Sequence, residues 1–221
     1  MNFAVAIDGP AGAGKSSVAK AAAKELGFVY VDTGALYRAV GIHMVGKGIS
    51  CDDIDSIVNE FPNIVLEIEY QEDGQHVILC GKDVSQDIRT GEAAKAASDF
   101  SKIPQVRSFL LSTQLQMAEK YNVIMDGRDI GTVILPNAQV KVFLTASAEA
   151  RAHRRYLEMQ AKDASSNYED ILAEIISRDK QDSERETAPL KPAEDSILLD
   201  TSDINFEESV KELLRIIRER M

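Results

Sequence analysis

Short, continuously apolar runs recur along the chain and are separated by stretches with helical periodicity. Five runs have the apolar character of buried strands, and they cover residues 3–8, 28–32, 123–126, 140–144 and 197–200. A strand that is covered on both faces is apolar throughout, whereas a half-exposed strand alternates. Because helical stretches separate these strands, the pattern predicts an α/β fold in which a parallel sheet lies between two layers of helices.

The predicted helices lie between and after these strands. The first covers residues 16–26, is rich in alanine and is closed by Gly27. The second contains Tyr37 and Arg38, and its pattern fades at residues 46–48. The same kind of spacing predicts three more helices, near residues 106–120, 149–161 and 206–220.

Two regions do not follow the alternation of strand and helix. Residues 64–84 contain Glu72-Asp73-Gly74 between two strand-like runs, which predicts an antiparallel hairpin inserted into the main fold. Residues 151–185 are helical and rich in both charges, which by itself is typical of a pair of solvated helices. The sequence shows no internal repeat or low-complexity tract, so we predict that residues 1–221 form a single unit.

The charge of the chain restricts its partners. The chain has 221 residues, 28% of them charged, and a formal net charge of −11 at pH 7. Such an acidic protein is a poor candidate for binding a nucleic-acid polymer, because a phosphate backbone requires a basic surface. A small phosphorylated ligand is not excluded, since a local pocket of arginines is enough to bind it.

The sequence also gives no sign of a membrane or metal partner. No apolar run has transmembrane length, and the first residues lack the basic segment of a signal peptide. We therefore predict a cytoplasmic protein. The two cysteines, Cys51 and Cys80, and the three scattered histidines form no plausible zinc cluster, so we predict that both thiols are reduced.

A glycine-rich turn joins the first predicted strand to the first predicted helix. Residues 9–16 fit the pattern G-x-x-x-x-G-K-[ST] without a mismatch. The glycines allow several N–H groups to converge on one phosphate, and the helix N-terminus adds unpaired N–H groups. Lys15 is expected to reach the β and γ phosphates, and the Ser16 hydroxyl to bind Mg²⁺. The predicted nucleotide-binding residues are Gly9, Pro10, Ala11, Gly12, Ala13, Gly14, Lys15, Ser16 and Ser17.

Two other interpretations of this loop are less favourable. Gly12-Ala13-Gly14 followed by Asp32 could begin a dinucleotide-binding fingerprint, but Ser17 stands where the third glycine or an alanine is expected. A guanine-nucleotide switch would require an N-K-x-D motif, and residues 167–170 lack its lysine. We therefore favour a phosphate loop that binds a nucleoside triphosphate.

Two arginines are predicted to lie close to this loop. Arg38 follows the second predicted strand, and Arg128 follows the third. Open α/β sheets bind ligands at the carboxyl ends of their strands, so both side chains are expected at the edge that carries the phosphate loop. A single such arginine is more often part of a surface ion pair, but two beside a phosphate loop favour a clamp for a second, small phosphorylated ligand.

These segments together resemble the bacterial cytidylate kinases, which belong to the nucleoside monophosphate kinase superfamily. The resemblance covers nearly the whole chain. The segments that carry it are residues 7–15, 32–38, 87–90, 96–98, 104–107, 126–133 and 151–155. It implies an ATP- and Mg²⁺-dependent kinase of CMP, and also of dCMP. The alternative is a kinase of another monophosphate, such as UMP or AMP, or of a small metabolite such as shikimate.

The resemblance also implies an architecture and a set of site residues. The P-loop kinase core would contain a five-stranded parallel sheet, with a monophosphate-binding region over residues 33–121, a small inserted sheet and a short helical lid over residues 151–185. By resemblance, the residues that bind cytosine are Ser98, Arg107 and Asp129; those that bind the ribose are Arg178 and Asp182; those that bind the acceptor phosphate are Arg38, Arg128 and Arg185. The acceptor site also includes Thr33 and Tyr37.

The expected catalytic residues are those that would neutralise the transferred phosphoryl group. They are Lys15, Arg128, Arg154 and Arg185, with Arg151 and Arg155 clustered beside Arg154. The segment from Arg178 to Arg185 departs from family members, which often have more arginines there. The sequence is otherwise consistent with a monomer that acts on a small molecule.

Overall fold

The main sheet has five parallel strands. The structure, a computed structural model, describes residues 2–71, 74–161 and 167–221. The strands of this sheet are β1 (Ala4–Asp8), β2 (Val29–Asp32), β6 (Val123–Gly127), β7 (Val140–Thr145) and β8 (Ile197–Asp200), in the spatial order β2-β6-β1-β7-β8. All five predicted strands are therefore confirmed, and each observed end lies within one residue of the predicted end.

The central position of β1 explains its composition. All five of its residues are buried, because β6 and β7 flank it and helices cover both faces of the sheet. Val5 and Ile7 belong to the core on one face, whereas Ala4 and Ala6 belong to the core on the other. Alternate side chains of a strand point to opposite faces, so a strand buried on both sides must be apolar at every position.

Eight α-helices are found in the described residues. They are α1 (Lys15–Leu26), α2 (Thr33–Gly46), α3 (Ile54–Glu60), α4 (Gly91–Phe100), α5 (Pro104–Lys120), α6 (Ala148–Gln160), α7 (Tyr168–Glu184) and α8 (Phe206–Arg218). Helices α1 and α8 pack on one face of the sheet, through side chains such as Val18 and Leu213, and side chains of α5 pack on the other. The predicted three-layer α/β fold is confirmed. No helix in these residues has the length and apolarity needed to cross a bilayer.

The inserted sheet is larger than the hairpin predicted for residues 64–84. Strands β3 (Leu66–Gln71) and β4 (Gly74–Leu79) form the predicted antiparallel pair, and β5 (Lys82–Asp83) adds a third strand. Strand β5 has only two residues, both exposed, so it leaves no alternating pattern in the sequence. Of the predicted turn, Glu72 and Asp73 lie outside the described residues.

Helices α3 and α4 were not predicted from apolar periodicity. Helix α3 has only seven residues, which is too short for a repeating pattern. Helix α4 presents a buried face made mainly of alanines, Ala93, Ala96 and Ala97, which contrast weakly with the polar positions around them. The start of α4 is nevertheless defined by a capping residue. Thr90 is the N-cap, and its side chain accepts a hydrogen bond from the N–H of Ala93.

The charged region predicted over residues 151–185 contains helices α6 and α7. They pack against each other through Ala152, Ile171 and Ile175, so this part of the chain has a small apolar core of its own. Residues 162–166 lie outside the described part of the chain. The interpretation of the region as a lid stays a prediction.

Gly41 lets helix α2 approach helix α4 closely. A Cβ atom at Gly41 would lie 2.9 Å from the Cβ of Ala96 and 3.0 Å from its carbonyl carbon. These distances are too short for a normal contact. Backbone atoms cannot avoid the clash by changing rotamer, so one helix would have to move. The position of α4, and with it that of Ser98, therefore depends on a residue without a side chain.

We expect Gly41→Ala to lower the free energy of unfolding. Overpacking typically costs about 1–3 kcal/mol, which exceeds the gain of about 1 kcal/mol from better helix propensity. Urea unfolding at pH 7 measures the difference. The matched control is Gly46→Ala in the same helix, where nothing lies within 4 Å of the added Cβ. Equal stabilities for the two variants would contradict the packing argument.

Candidate active site

A cleft lies at the carboxyl ends of β1, β2 and β6. Its volume is about 380 Å³, which is within the usual range for a small-molecule site. The phosphate loop forms one end, and the remainder is lined by residues from the ends of β2 and β6, from the turn after β6 and from helices α2, α4, α5, α6 and α7. The residues that line it include all ten predicted substrate residues: Thr33, Tyr37, Arg38, Ser98, Arg107, Arg128, Asp129, Arg178, Asp182 and Arg185.

The phosphate loop depends on glycines for its path. Gly12 and Gly14 have φ angles of 74° and 86°, in the left-handed region that favours glycine. A Cβ atom at Gly9 would lie 1.9 Å from the carbonyl oxygen of Leu144, so no other residue fits there. Gly14 precedes α1 and has no side chain to cap it, which leaves the first N–H groups of the helix available for an anion.

The Lys15 side chain is buried inside the loop. Its Nζ donates a hydrogen bond to the carbonyl oxygen of Pro10 over 2.8 Å. Burial, followed by the charge of Arg128, lowers the pKa of Lys15 from its ordinary value. The loop therefore has a buried amine that lacks sufficient negative charge nearby, and an anionic ligand would favour its protonated form.

Asp126 is a site residue for which the sequence analysis gave no role. Its carboxylate accepts hydrogen bonds from the Ser16 hydroxyl (2.9 Å) and from the Tyr30 hydroxyl (2.8 Å). Burial and the nearby Asp32 raise its pKa. A signal was present in the sequence, because Asp126 is an acidic residue inside an apolar strand, and acidic residues are rarely buried without a function or a partner.

Ser16 and Asp126 supply the kind of oxygen atoms that Mg²⁺ prefers. Mg²⁺ takes few protein ligands, usually one or two carboxylates besides substrate phosphates and water. A hydroxyl and a carboxylate next to the phosphate loop fit this chemistry. The described residues contain no cluster of three or more acidic, histidine or cysteine side chains that could hold a metal ion alone.

Asp8 fixes the turn that follows β6. Its two carboxylate oxygens accept hydrogen bonds from the N–H groups of Ile130 (2.7 Å) and Gly131 (2.8 Å). Burial is the main reason why the pKa of Asp8 is raised to about 6. Since Asp129 directly precedes this turn, Asp8 helps to set the direction in which the Asp129 carboxylate points.

The predicted phosphate-binding arginines are each near a carboxylate. Arg38 donates to Asp32 over 2.8 Å, and Arg128 donates through Nε to Asp182 over 2.8 Å. Arg185 lies with its Nη2 3.6 Å from a carboxylate oxygen of Asp129. Three guanidinium groups thus face one cleft, which is a suitable arrangement for binding a phosphate dianion.

The opposite end of the cleft can recognise a polar ring. Arg107 donates a hydrogen bond to the Asp129 carboxylate, and its guanidinium lies 5.7 Å from the centre of the Tyr37 ring. Burial raises the pKa of Asp129, although Arg107 opposes this effect. Ser98 lines the same end, where its hydroxyl oxygen accepts a hydrogen bond from Gln181 over 2.5 Å. The sequence analysis did not identify Gln181.

The arginines at the start of α6 do not line the cleft. Arg154 donates to the backbone carbonyl of Thr201, and Arg155 lies 3.6 Å from Glu174. Arg151 is buried and donates to both carboxylate oxygens of Asp179, over 3.0 and 2.5 Å, and to the carbonyl oxygen of Ala11 over 3.0 Å. The catalytic role assigned to Arg154 stays a prediction.

Comparison with known proteins identifies the family. The family model described as cytidylate kinase matches residues 5–219. The chain belongs to the cytidylate kinase family. It is 49% identical over 218 residues to a cytidylate kinase from Caldanaerobacter subterraneus subsp. tengcongensis, with coverage of 99% of this chain and 96% of the relative. It is 46% identical over 220 residues to one from Geobacillus sp., covering 100% of this chain and 98% of that relative.

Membership of the cytidylate kinase family makes the protein a nucleoside monophosphate kinase that uses ATP as phosphoryl donor. Its substrates are therefore small nucleotides. Among solved structures, an uncharacterized protein from Eubacterium ventriosum superposes with a TM-score of 0.50 at 13% identity, covering 99% of this chain and 100% of that one. This likeness shows a shared fold and nothing further.

We expect Tyr30→Phe to move the acid limb of the pH profile to higher pH. The hydrogen bond from Tyr30 lowers the pKa of Asp126, so its loss should raise that pKa. Asp126 would then lose its negative charge earlier as the pH falls, and Ser16 would face a neutral carboxyl group instead of a carboxylate. The shift should be about one to two pH units, because a hydrogen bond to a charged group is worth about 1.5–3 kcal/mol.

The measurement is kcat/KM for ATP between pH 5 and pH 8. The control is Tyr70→Phe, because the Tyr70 hydroxyl donates to the backbone carbonyl of Tyr30 and not to Asp126. Superimposable acid limbs for the Tyr30 variant and the parent protein would refute the role given to Tyr30.

Proposed function

We propose that the protein transfers the γ-phosphoryl group of ATP to a phosphate oxygen of CMP, and also of dCMP, giving ADP and the nucleoside diphosphate. The observation that carries this proposal is the arrangement of the cleft. A phosphate loop lies at one end, the Arg107–Asp129 pair lies at the other, and arginines of α2, α7 and the β6 edge lie between them.

The donor end would hold the triphosphate. The N–H groups at the start of α1 and the Lys15 ammonium can bind the β and γ phosphates, as the open helix terminus and the buried amine suggest. Mg²⁺ would be held by the Ser16 hydroxyl, with Asp126 beside it, and would supply charge neutralisation for the phosphates.

The acceptor phosphate would bind to Arg38, Arg128 and Arg185. The second pKa of a phosphate monoester is near 6, so the acceptor is largely a dianion at neutral pH. It is already a competent nucleophile, and no general base is required. Catalysis then consists of holding two phosphates in line and neutralising their charge, and arginines do both. A role for Arg154 would require its guanidinium to leave Thr201.

The base end has the polarity that cytosine requires. Cytosine carries an amino donor at position 4 and acceptors at positions 2 and 3. The Asp129 carboxylate can accept from the amino group, while Arg107 and Ser98 can donate to the ring acceptors. Uracil reverses the pattern at positions 3 and 4 and would leave buried polar groups without partners.

The ribose would lie against α7. Asp182 uses one carboxylate oxygen for Arg128 and has a second one available for a ribose hydroxyl, with Arg178 beside it. Loss of the 2′-hydroxyl would remove a single contact, so dCMP should remain a substrate.

Closure of the region 151–185 over the nucleotides would exclude water and prevent wasteful hydrolysis of ATP. We also expect a monomer in the cytoplasm.

The direct test of the function is ADP release with ATP and Mg²⁺ against CMP, dCMP, UMP, AMP, GMP and dTMP. We expect strong turnover with CMP and dCMP and little with the purine nucleotides. Comparable turnover with UMP would be consistent with a nucleoside monophosphate kinase, but it would contradict the proposal that Asp129 and Arg107 recognise the base. Hydrolysis of ATP without turnover of any monophosphate would overturn the proposal.

We expect Lys15→Ala to lower kcat/KM by at least about two orders of magnitude while the fold persists, because the phosphoryl group loses a preorganised positive charge. Coupled ADP release and circular dichroism measure both properties. The control is Lys24→Ala, which removes an exposed lysine from the same helix. Near-normal turnover of the Lys15 variant would refute the role of the phosphate loop.

We expect Asp129→Ala to raise KM for CMP by about tenfold or more and to leave KM for ATP nearly unchanged. The carboxylate is positioned at the base end of the cleft, and removal of a buried partner costs at least about 1–3 kcal/mol. Steady-state kinetics with each substrate varied in turn measures both constants. Equal increases in the two KM values would show that Asp129 does not read the base.

A further inference from the structure

Gln181 reaches across the cleft from α7 to α4. Its Nε2 lies 2.5 Å from the Ser98 hydroxyl oxygen and 3.4 Å from the Ser98 carbonyl oxygen. On α7, Gln181 shares one face with Arg178, Asp182 and Arg185, because residues three and four positions apart are neighbours on a helix. Its neighbours Arg178, Asp182 and Arg185 line the cleft, so Gln181 lies beside the wall that faces the substrate, between the proposed ribose and base contacts.

The two contacts define which amide atom faces Ser98. A backbone carbonyl oxygen can only accept a hydrogen bond, so the Gln181 atom near it must be the amino nitrogen and not the amide oxygen. The same amino group then donates to the Ser98 hydroxyl. The direction of this hydrogen bond is set by the carbonyl group beside it.

This direction determines what the Ser98 hydroxyl offers to a ligand. Its oxygen accepts from Gln181, while its own hydrogen has no protein acceptor among the hydrogen bonds found in the described residues. A hydroxyl has one hydrogen to donate and rotates to suit its neighbours. With one oxygen lone pair engaged by Gln181, the O–H group is left to point into the cleft that Ser98 lines.

We propose that Gln181 is a positioning residue for base selectivity that acts through Ser98. By donating to the hydroxyl oxygen, it presents the Ser98 O–H as a donor to ring position 3 of the pyrimidine. Cytosine has an acceptor at that position, whereas uracil has an N–H donor that would oppose the O–H group. The inference rests on the proposed CMP kinase function and specifies how the same site distinguishes two pyrimidines.

The test is Gln181→Glu, which keeps the shape of the side chain and reverses the hydrogen bond. A carboxylate has only acceptors, so Ser98 would donate to it and present lone pairs to the base. We expect the ratio of kcat/KM for CMP to kcat/KM for UMP to fall about fivefold or more, the value of one hydrogen bond. The added negative charge repels both monophosphates equally and cancels in the ratio.

Two further variants distinguish an effect that acts through Ser98 from a general effect of the added charge and from a direct contact of residue 181 with the base. Gln116→Glu makes the same chemical change at an exposed site of α5 and should leave the ratio unchanged. In a Ser98→Ala background, Gln181→Glu should change the ratio by less than about twofold, because the hydroxyl through which it acts is gone. Where turnover of UMP is slow, competition calorimetry gives the ratio of the dissociation constants for CMP and UMP, and the hydrogen-bond argument predicts that this ratio changes in the same direction.

The outcomes are distinguishable from failure of the proposed function. If the parent protein does not phosphorylate CMP, the function itself is wrong. If it does, an unchanged or increased ratio in Gln181→Glu overturns the inference. An equal fall in the Ser98→Ala background also overturns it, because Gln181 would then act on the base directly.

Discussion

The structure depends on balancing charge inside a cleft whose arginine and aspartate side chains are buried or half-buried. Arg107 is paired with Asp129, Arg128 with Asp182 and Arg38 with Asp32. A buried guanidinium without a partner is strongly destabilising, so the fold requires these carboxylates, above all that of Asp129 beside the buried Arg107. The same carboxylates can turn to a substrate, since each has two oxygens. The site can therefore fold without its nucleotides and still retain the charges needed to bind them.

The sheet determines where this balance can be built. Parallel strands end at the same edge, and the order of the strands places β6 directly beside β1. The end of β1 leads into the phosphate loop, and the end of β6 carries Asp126 and leads to Arg128 and Asp129. Residues that are more than a hundred positions apart in the sequence are therefore neighbours in the site, and short side chains are enough to connect them. The tight approach of α2 to α4 at Gly41 completes the cleft by bringing Ser98 into it.

Much of the fold and of the candidate site could be predicted from the sequence, and there are physical reasons why the other features could not. The five parallel strands and the phosphate loop follow from continuous apolar runs and from one specific motif, although the edge strand β8 is partly exposed where its apolar run predicted burial. Helix α4 was missed because its buried alanines contrast little with their surroundings. The roles of Asp8, Asp126 and Gln181 could not be predicted, because each depends on a hydrogen bond to a residue that is distant in the chain. Periodicity identifies which side chains are buried, but it does not identify the partner of a buried polar group.

The buried Arg151 has a consequence for movement. It donates hydrogen bonds both to the phosphate loop at Ala11 and to α7 at Asp179, which lies 28 residues beyond Arg151 in the sequence. Helices α6 and α7 are each continuous through these residues, so the ion pair fastens both helices to the phosphate loop. Asp182 lies about one turn beyond Asp179 on α7 and lines the cleft, so a displacement of the loop is passed to the wall that α7 forms. The two sides of the cleft are thereby mechanically coupled through one guanidinium group.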